Sequence, residues 1–197
     1  MATPKLKLGN DKWATKQRSL LAYNDEGNNF KSLPFNVERL SGASYKGRNG
    51  LIQYAASEEP SIDFTNYSKG ALLLEPKRTN SITYSEDFSN GSYNKNNATV
   101  TPNNTTAPDG TTNADKITST GTAPYARATF THSTLTSYTV SIFAKKGDEN
   151  YLYIRALALS SQLIASFNLS IGSLGTVNTG LTVEMQSYSN GWYRCII

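Results

Sequence analysis

From residue 110 onward, apolar and polar positions alternate over short runs, and each run ends in a cluster of Gly, Asn, Ser, Thr or Asp. In Tyr138-Thr139-Val140-Ser141-Ile142-Phe143-Ala144, an extended chain puts Tyr138, Val140, Ile142 and Ala144 on one face. In Tyr151-Leu152-Tyr153-Ile154-Arg155, Leu152 and Ile154 point one way and Tyr151, Tyr153 and Arg155 the other. The pattern predicts strands over 115–119, 126–131, 137–145, 151–157, 164–169 and 181–188, with a last strand beginning at Trp192. Turns fall at Gly121, 133–136, 146–148, 160–161, 171–175 and 189–191. Short strands at this spacing predict an all-β fold, an antiparallel jelly-roll sandwich. Residues 94–110, rich in Asn and Thr, read as a loop that closes at Ala107-Pro108-Asp109-Gly110.

Upstream, the most informative stretch is Ala71-Leu72-Leu73-Leu74-Glu75-Pro76-Lys77-Arg78-Thr79-Asn80. A short unbroken apolar run fits a strand buried on both faces, and Pro76 ends it because proline cannot donate to a ladder. Leu72, Leu73 and Leu74 are therefore expected to be buried. Glu75 and Arg78 are expected where buried structure meets surface, paired with each other or with the preceding segment, with Arg78 held by a carboxylate or by backbone carbonyls. Residues 41–54 read as a hairpin around Asn49-Gly50, a dipeptide that tolerates positive φ at both central turn positions. Ile62-Asp63-Phe64 reads as a short strand.

Residues 1–40 show little periodicity. Lys5-Leu6-Lys7-Leu8 fits an edge strand and Ser19-Leu20-Leu21-Ala22-Tyr23 a second one, while a helix over 12–20 would lack an apolar face. Trp13 and Tyr23 stand in a segment poor in other core residues, which suggests docking against another subunit or protein. At the other end, Gly191-Trp192-Tyr193-Arg194-Cys195-Ile196-Ile197 stops in mid-strand. That predicts a natural protein that continues, with at least one strand of the sandwich beyond Ile197 and the jelly roll truncated here.

Charge sharpens this division. Residues 1–18 carry five cations (Lys5, Lys7, Lys12, Lys16, Arg18) against Asp11, whereas the other 179 residues hold 14 cations and 14 anions. The basic pI of about 9.1 thus belongs to an N-terminal arm, not to a nucleic-acid-binding domain; such an arm suits docking on an acidic protein surface, on nucleic acid or on a membrane surface, and the competing reading is a terminus that only aids solubility. Tyr (12) outnumbers Phe (7) and Trp (2), which favours β-structure with wet, turn-rich surfaces. The single cysteine, Cys195, excludes an intrachain disulfide, and no apolar run reaches membrane-spanning length.

The residue inventory argues against an enzyme. His132 is the only histidine and lies in a Thr-His-Ser-Thr context without a nucleophile motif. Glu58-Glu59, Glu86-Asp87 and Asp148-Glu149 are neighbours in sequence, not carboxylates facing each other across a cleft. One His and one Cys do not make a zinc site. No cofactor is expected. Structural calcium stays open through Asp109, Asp115 or Asp148 with loop carbonyls. Sugar binding has a physical basis, since aromatic rings cover pyranose faces and Asn, Asp and Arg bind hydroxyls. Tyr151, Tyr153, Arg155, Trp192 and Tyr193 are the candidates. The competing reading makes Trp192 a core residue and the tyrosines part of a trimer interface.

Gly70-Ala71-Leu72-Leu73-Leu74-Glu75-Pro76-Lys77-Arg78-Thr79-Asn80, followed by Tyr84-Ser85-Glu86-Asp87-Phe88, resembles a block common in the fibre and spike proteins of tailed bacteriophages. Ala107-Pro108-Asp109-Gly110-Thr111, Ala114-Asp115-Lys116-Ile117 and Asn190-Gly191-Trp192-Tyr193-Arg194 resemble the concanavalin-like, carbohydrate-binding jelly roll that follows in such proteins. Lys5-Leu6-Lys7-Leu8-Gly9 through Lys12-Trp13-Ala14-Thr15-Lys16 resembles the virion-attachment end of fibres in crAss-like and other phages of Bacteroidetes-type hosts. Before Gly50-Leu51-Ile52 the family often carries an Arg-Ala-Ser-Ser-Ala-Thr-Arg-Val-Asn-like run. Here Arg39 is kept and the middle differs.

The resemblance implies a virion structural protein, a head or tail fibre, in three parts: an attachment arm at 1–40, a β-rich collar at 41–90 and the jelly roll at 91–197. Lys5, Lys7, Lys12, Trp13, Lys16 and Arg18 would serve attachment, and Leu72, Leu73, Leu74, Glu75 and Arg78 the junction. The implied partners are further copies in a homotrimer, other virion proteins and host surface glycan, without nucleic acid and without membrane insertion. A receptor-binding lectin module of a tail spike, or a piece of a polysaccharide-degrading spike, are the alternatives.

Overall fold

The computed structural model describes residues 5–6, 13–16, 19–24, 29–32, 36–76, 78–133, 136–158 and 161–197. Among them there is no α-helix, and every strand pairing is antiparallel. The chain divides into two compact units, Met1–Arg78 and Thr79–Ile197.

In the first unit, β1 (Lys5–Leu6), β2 (Trp13–Lys16), β3 (Ser19–Asn24) and β4 (Asn29–Ser32) come first in the chain. The last three form a meander in the order β2-β3-β4, so residues 13–16 are a strand and the helix considered over 12–20 does not form there. A hairpin follows, β5 (Ala43–Lys46) with β6 (Ile52–Ala55). Its turn differs from the expected one, because only Gly50 takes a positive φ. Gly50 N donates to Gly47 O and Gly47 N to Leu51 O, a longer loop than a two-residue Asn-Gly turn. Then come β7 (Ile62–Asp63) and β8 (Ala71–Leu73), and β8 is the centre of the sheet β1-β8-β7.

The second unit holds β9 (Asn94–Asn96), β10 (Ala98–Thr105), β11 (Ala114–Ser119), β12 (Tyr125–Arg127), β13 (Ser141–Lys145), β14 (Tyr151–Ala158), β15 (Ser161–Asn168), β16 (Ser173–Val177), β17 (Glu184–Ser187) and β18 (Trp192–Ile196). Two three-stranded sheets, β13-β18-β17 and β14-β15-β16, supply one apolar cluster. Ala165, Phe167 and Leu169 enter it from β15 and its end, and Cys195 from β18. Ile142, Ala144, Leu152, Ile154, Met185 and Tyr193 pack against them. Alternation explains the assignment, since every second residue of β13, β14 and β15 points into this layer.

The segment read as a loop, 94–110, instead contains β9 and β10. Strand β10 pairs with β11, and β9 with β12. Most of β10 is exposed, so its Asn and Thr side chains meet water and no apolar alternation betrays the strand. The turn at 107–111 forms as expected: Gly110 N donates to Ala107 O, Ala107 N to Thr111 O, and Gly110 has φ +90°. Strands β12, β13 and β17 are shorter than predicted, and Tyr138 lies outside β13 and is exposed. The last strand, β18, lies between β13 and β17 with a partner on each side.

Candidate functional site

The side chains of β14 divide as the alternation requires. Leu152, Ile154 and Ala156 turn inward, and Tyr151, Tyr153, Arg155 and Leu157 face solvent. Tyr153 is 64% exposed. The rings of Tyr151 and Tyr153 lie 6.3 Å apart at 37°, a tilted pair two residues apart on one face. Register sets their neighbours: Asn168 is opposite Tyr151, and its Nδ2 donates to the phenol oxygen of Tyr151 at 3.1 Å. Ser166, opposite Tyr153, is buried on the same side. Its Oγ accepts from Thr176 N at 2.7 Å, at the register shift between β15 and β16. The space there exists because residue 175 is glycine: a Cβ on Gly175 would lie 2.4 Å from that oxygen. The outward surface is therefore a pair of aromatic rings beside a guanidinium, an amide and a leucine.

Two of the five predicted sugar-binding residues do not belong to this surface. Trp192 is 6% exposed, and its indole Nε1 donates to the carbonyl of Thr106 at 3.0 Å. Tyr193 packs on the core cluster and lies over Gly172, whose added Cβ would be 2.8 Å from the ring. Both stand on β18, in the other sheet from β14. Trp192 is buried, but on the opposite face of β18 from Tyr193 and Cys195, which join the core cluster. Asn168 and Leu157 were absent from the expected set. Asn168 ends a strand before a turn, and only the pairing register reveals its place beside Tyr151.

The junction residues also separate. Leu72 is buried and Leu73 partly so, but Leu74 is 49% exposed, because β8 ends at Leu73. Glu75 and Arg78 are exposed. Among the described residues no carboxylate or carbonyl holds Arg78. Arg39, read in the sequence only as a retained position, is held firmly instead. Its Nε donates to Ser41 O, Nη1 to Ser61 Oγ, and Nη2 to the carbonyls of Ala56 and Glu59 at 2.8 and 2.6 Å. It ties the segment before the hairpin to the loop at 56–61 that follows it.

Of the attachment residues, Lys7, Lys12 and Arg18 lie outside the described residues. Lys5 is on β1, Trp13 and Lys16 are on β2, and β1 pairs with β8 through Lys5↔Leu73 and Leu6↔Leu72.

The three aspartates considered for calcium have protein donors. Asp115 accepts from Phe88 N and Asn103 N, Asp109 accepts from Thr111 N and Oγ1, and Asp148 pairs with Lys116 at 3.0 Å. A converging set of carbonyls exists elsewhere in this unit and holds an ammonium: Lys95 Nζ donates to Phe88 O, Ser89 O and Asn90 O at 3.2, 3.1 and 2.9 Å. The adjacent Asp87 carboxyl is held below its usual range by the hydroxyl of Ser89 and by backbone donors. Among the described residues no three His, Cys, Asp or Glu side chains gather into a metal-binding group. His132 is exposed and sits edge-on to Phe130 and Tyr138, with ring centroids 6.3 Å from each. Cys195 is fully buried, and burial pushes its thiol up to about 12.

No family model and no curated protein matches the chain.

Proposed function

We propose that this chain is a structural protein of a tailed-phage particle, of the fibre or spike type, whose N-terminal segment docks on the virion and whose sandwich unit projects from it. The observation that carries this reading is the block at residues 70–88, with its leucine run, Glu-Pro, basic pair and Tyr-Ser-Glu-Asp-Phe. That block spans the division of the chain into two compact units at Arg78. The all-β, turn-rich second unit suits a projecting module, and the cations of residues 1–18 suit docking on an acidic virion protein. The protein works as a homo-oligomer, and its role is attachment, not catalysis. Deletion of residues 1–18 tests the reading. Particles assembled with the truncated protein should lack it on immunoblots of purified virions, while the second unit, Thr79–Ile197, of the soluble truncated protein stays folded. Particles that retain it would overturn the assignment of the arm as anchor.

A second reading, host-glycan capture by the sandwich unit, is favoured by the Tyr151–Tyr153 pair with Arg155 and Asn168 beside it. Rings two residues apart on one strand can cover successive pyranose faces, and the guanidinium and amide can reach hydroxyls. Trp192 and Tyr193 take no part. Glycan-array binding that falls on Tyr153→Ala and survives Trp192→Phe would support it. Loss on Trp192→Phe alone would point to another surface.

A further inference from the structure

We infer that the loop at 88–90 is a cation site built for a primary ammonium, and that the chain fills it with its own Lys95. Three consecutive carbonyls turn to one point there. Lys95 Nζ donates to Phe88 O at 3.2 Å, to Ser89 O at 3.1 Å and to Asn90 O at 2.9 Å. A lysine ammonium has three donors and no acceptor, so these bonds use all of them. Carbonyl dipoles that converge repel one another unless a cation stands among them. Lys95 is half-buried on β9, where Ala126 of β12 is its partner.

The N–H side of the same loop is tied to carboxylates. Asn90 N donates to Asp87 Oδ1 at 3.1 Å, and Ser89 Oγ donates to the same oxygen. The peptide unit joining Ser89 to Asn90 therefore has an ammonium on its C=O and a carboxylate on its N–H. Both charges polarise it in the same direction. Phe88 N donates to Asp115 Oδ2 at 2.8 Å, which fastens the loop to β11. Asn90 O also accepts from Tyr93 N at 3.1 Å, and the Phe88 ring lies 5.0 Å from that of buried Tyr93. The ammonium thus holds a loop that carries Phe88 onto Tyr93.

The oxygens decide the class of cation. All three are neutral carbonyls, and they stand at the spacing of N–H···O bonds. Calcium draws its oxygens to about 2.3–2.6 Å and takes about six to eight, carboxylates among them. A cradle of three wide-set carbonyls matches a donor ion instead. The sequence places that ion by covalent tether, which removes the entropy of capturing a free one.

The test vacates the cradle in the full chain. Lys95→Ala should lower the urea midpoint and speed hydrogen exchange at the Asn90 and Tyr93 amides. Methylammonium chloride should reverse both changes saturably in Lys95→Ala, and leave the natural protein unchanged because its cradle is filled. Tetramethylammonium chloride carries the same charge without a donor and should not reverse them at equal ionic strength. Reductive methylation reads the contact in the natural protein, whether or not Lys95→Ala folds: Lys95 should react several-fold more slowly than exposed Lys146. An unchanged Lys95→Ala, no recovery by methylammonium, equal recovery by both salts, recovery by calcium alone, or equal methylation of Lys95 and Lys146 would each overturn the inference.

Discussion

The indole of Trp192 donates to the carbonyl of Thr106 at 3.0 Å, across 86 residues of chain. This bond fixes the end of β10 against β18 and takes the one tryptophan of the second unit out of contact with any ligand. Trp192→Phe keeps a large ring and loses the donor. It should destabilise the protein by about 1–3 kcal/mol. Urea denaturation should show a lower midpoint with an unchanged slope. An unchanged midpoint would mean that the bond contributes nothing to the fold.

Arg39 organises the first unit by geometry more than by charge. Its fork reaches four backbone carbonyls and the Ser61 hydroxyl, and Ser61 is itself buried. A lysine keeps the charge and cannot reach these acceptors together. Arg39→Lys should therefore cost about 2–3 kcal/mol, since several charge-assisted bonds are lost at once. Hydrogen exchange should speed up at amides of β6 and β7, with those of β15 unchanged. Equal acceleration in both units would contradict a local role.

The junction gives a paired prediction. Arg78 is exposed and held by no described carboxylate or carbonyl, so Arg78→Ala should change stability by less than about 0.5 kcal/mol. Gly70, eight residues earlier, has φ +75°, and an added Cβ would lie 2.8 Å from both Ile62 Cγ2 and the Phe64 ring. Gly70→Ala combines backbone strain with overpacking and should cost about 1–3 kcal/mol. Thermal unfolding of the two variants side by side checks the contrast, and the reverse order would relocate the weak point of this segment.

Local chemistry explains which of these features were legible in sequence. The inward and outward faces of β14 follow from alternation alone, and so does the burial of Ala71 and Leu72 in a run with no polar face. Strand β10 was hidden because both of its faces are largely wet, so its pairing with β11 rests on backbone bonds that leave no hydrophobic signal. Trp192 could not be placed by periodicity, since its partner at Thr106 is a backbone carbonyl distant in sequence. For the same reason Arg39 is held where Arg78 is not: five acceptors, on Ser41, Ala55, Ala56, Glu59 and Ser61, converge on it, and no spacing rule anticipates that.

Burial of titratable groups sets the alkaline behaviour. Cys195 is pushed by desolvation from 9.0 to about 12 in the folded protein. Between those values the unfolded chain releases the thiol proton while the folded chain keeps it. The unfolded state then binds fewer protons, so stability is complete below about pH 9 and falls as pH rises toward 12. Tyr45 and Tyr93 are raised too, first by burial and then by the charges of Glu59 and Asp87, and they act in the same direction. Urea midpoints measured from about pH 8 to 11 should be level at first and then decline. Cys195→Ala removes the thiol's share, so its decline should be shallower than that of the natural sequence, with the tyrosine share remaining. Parallel declines in the two proteins would show that the buried thiol does not resist ionisation, and with it that the core around β18 is open to water at high pH.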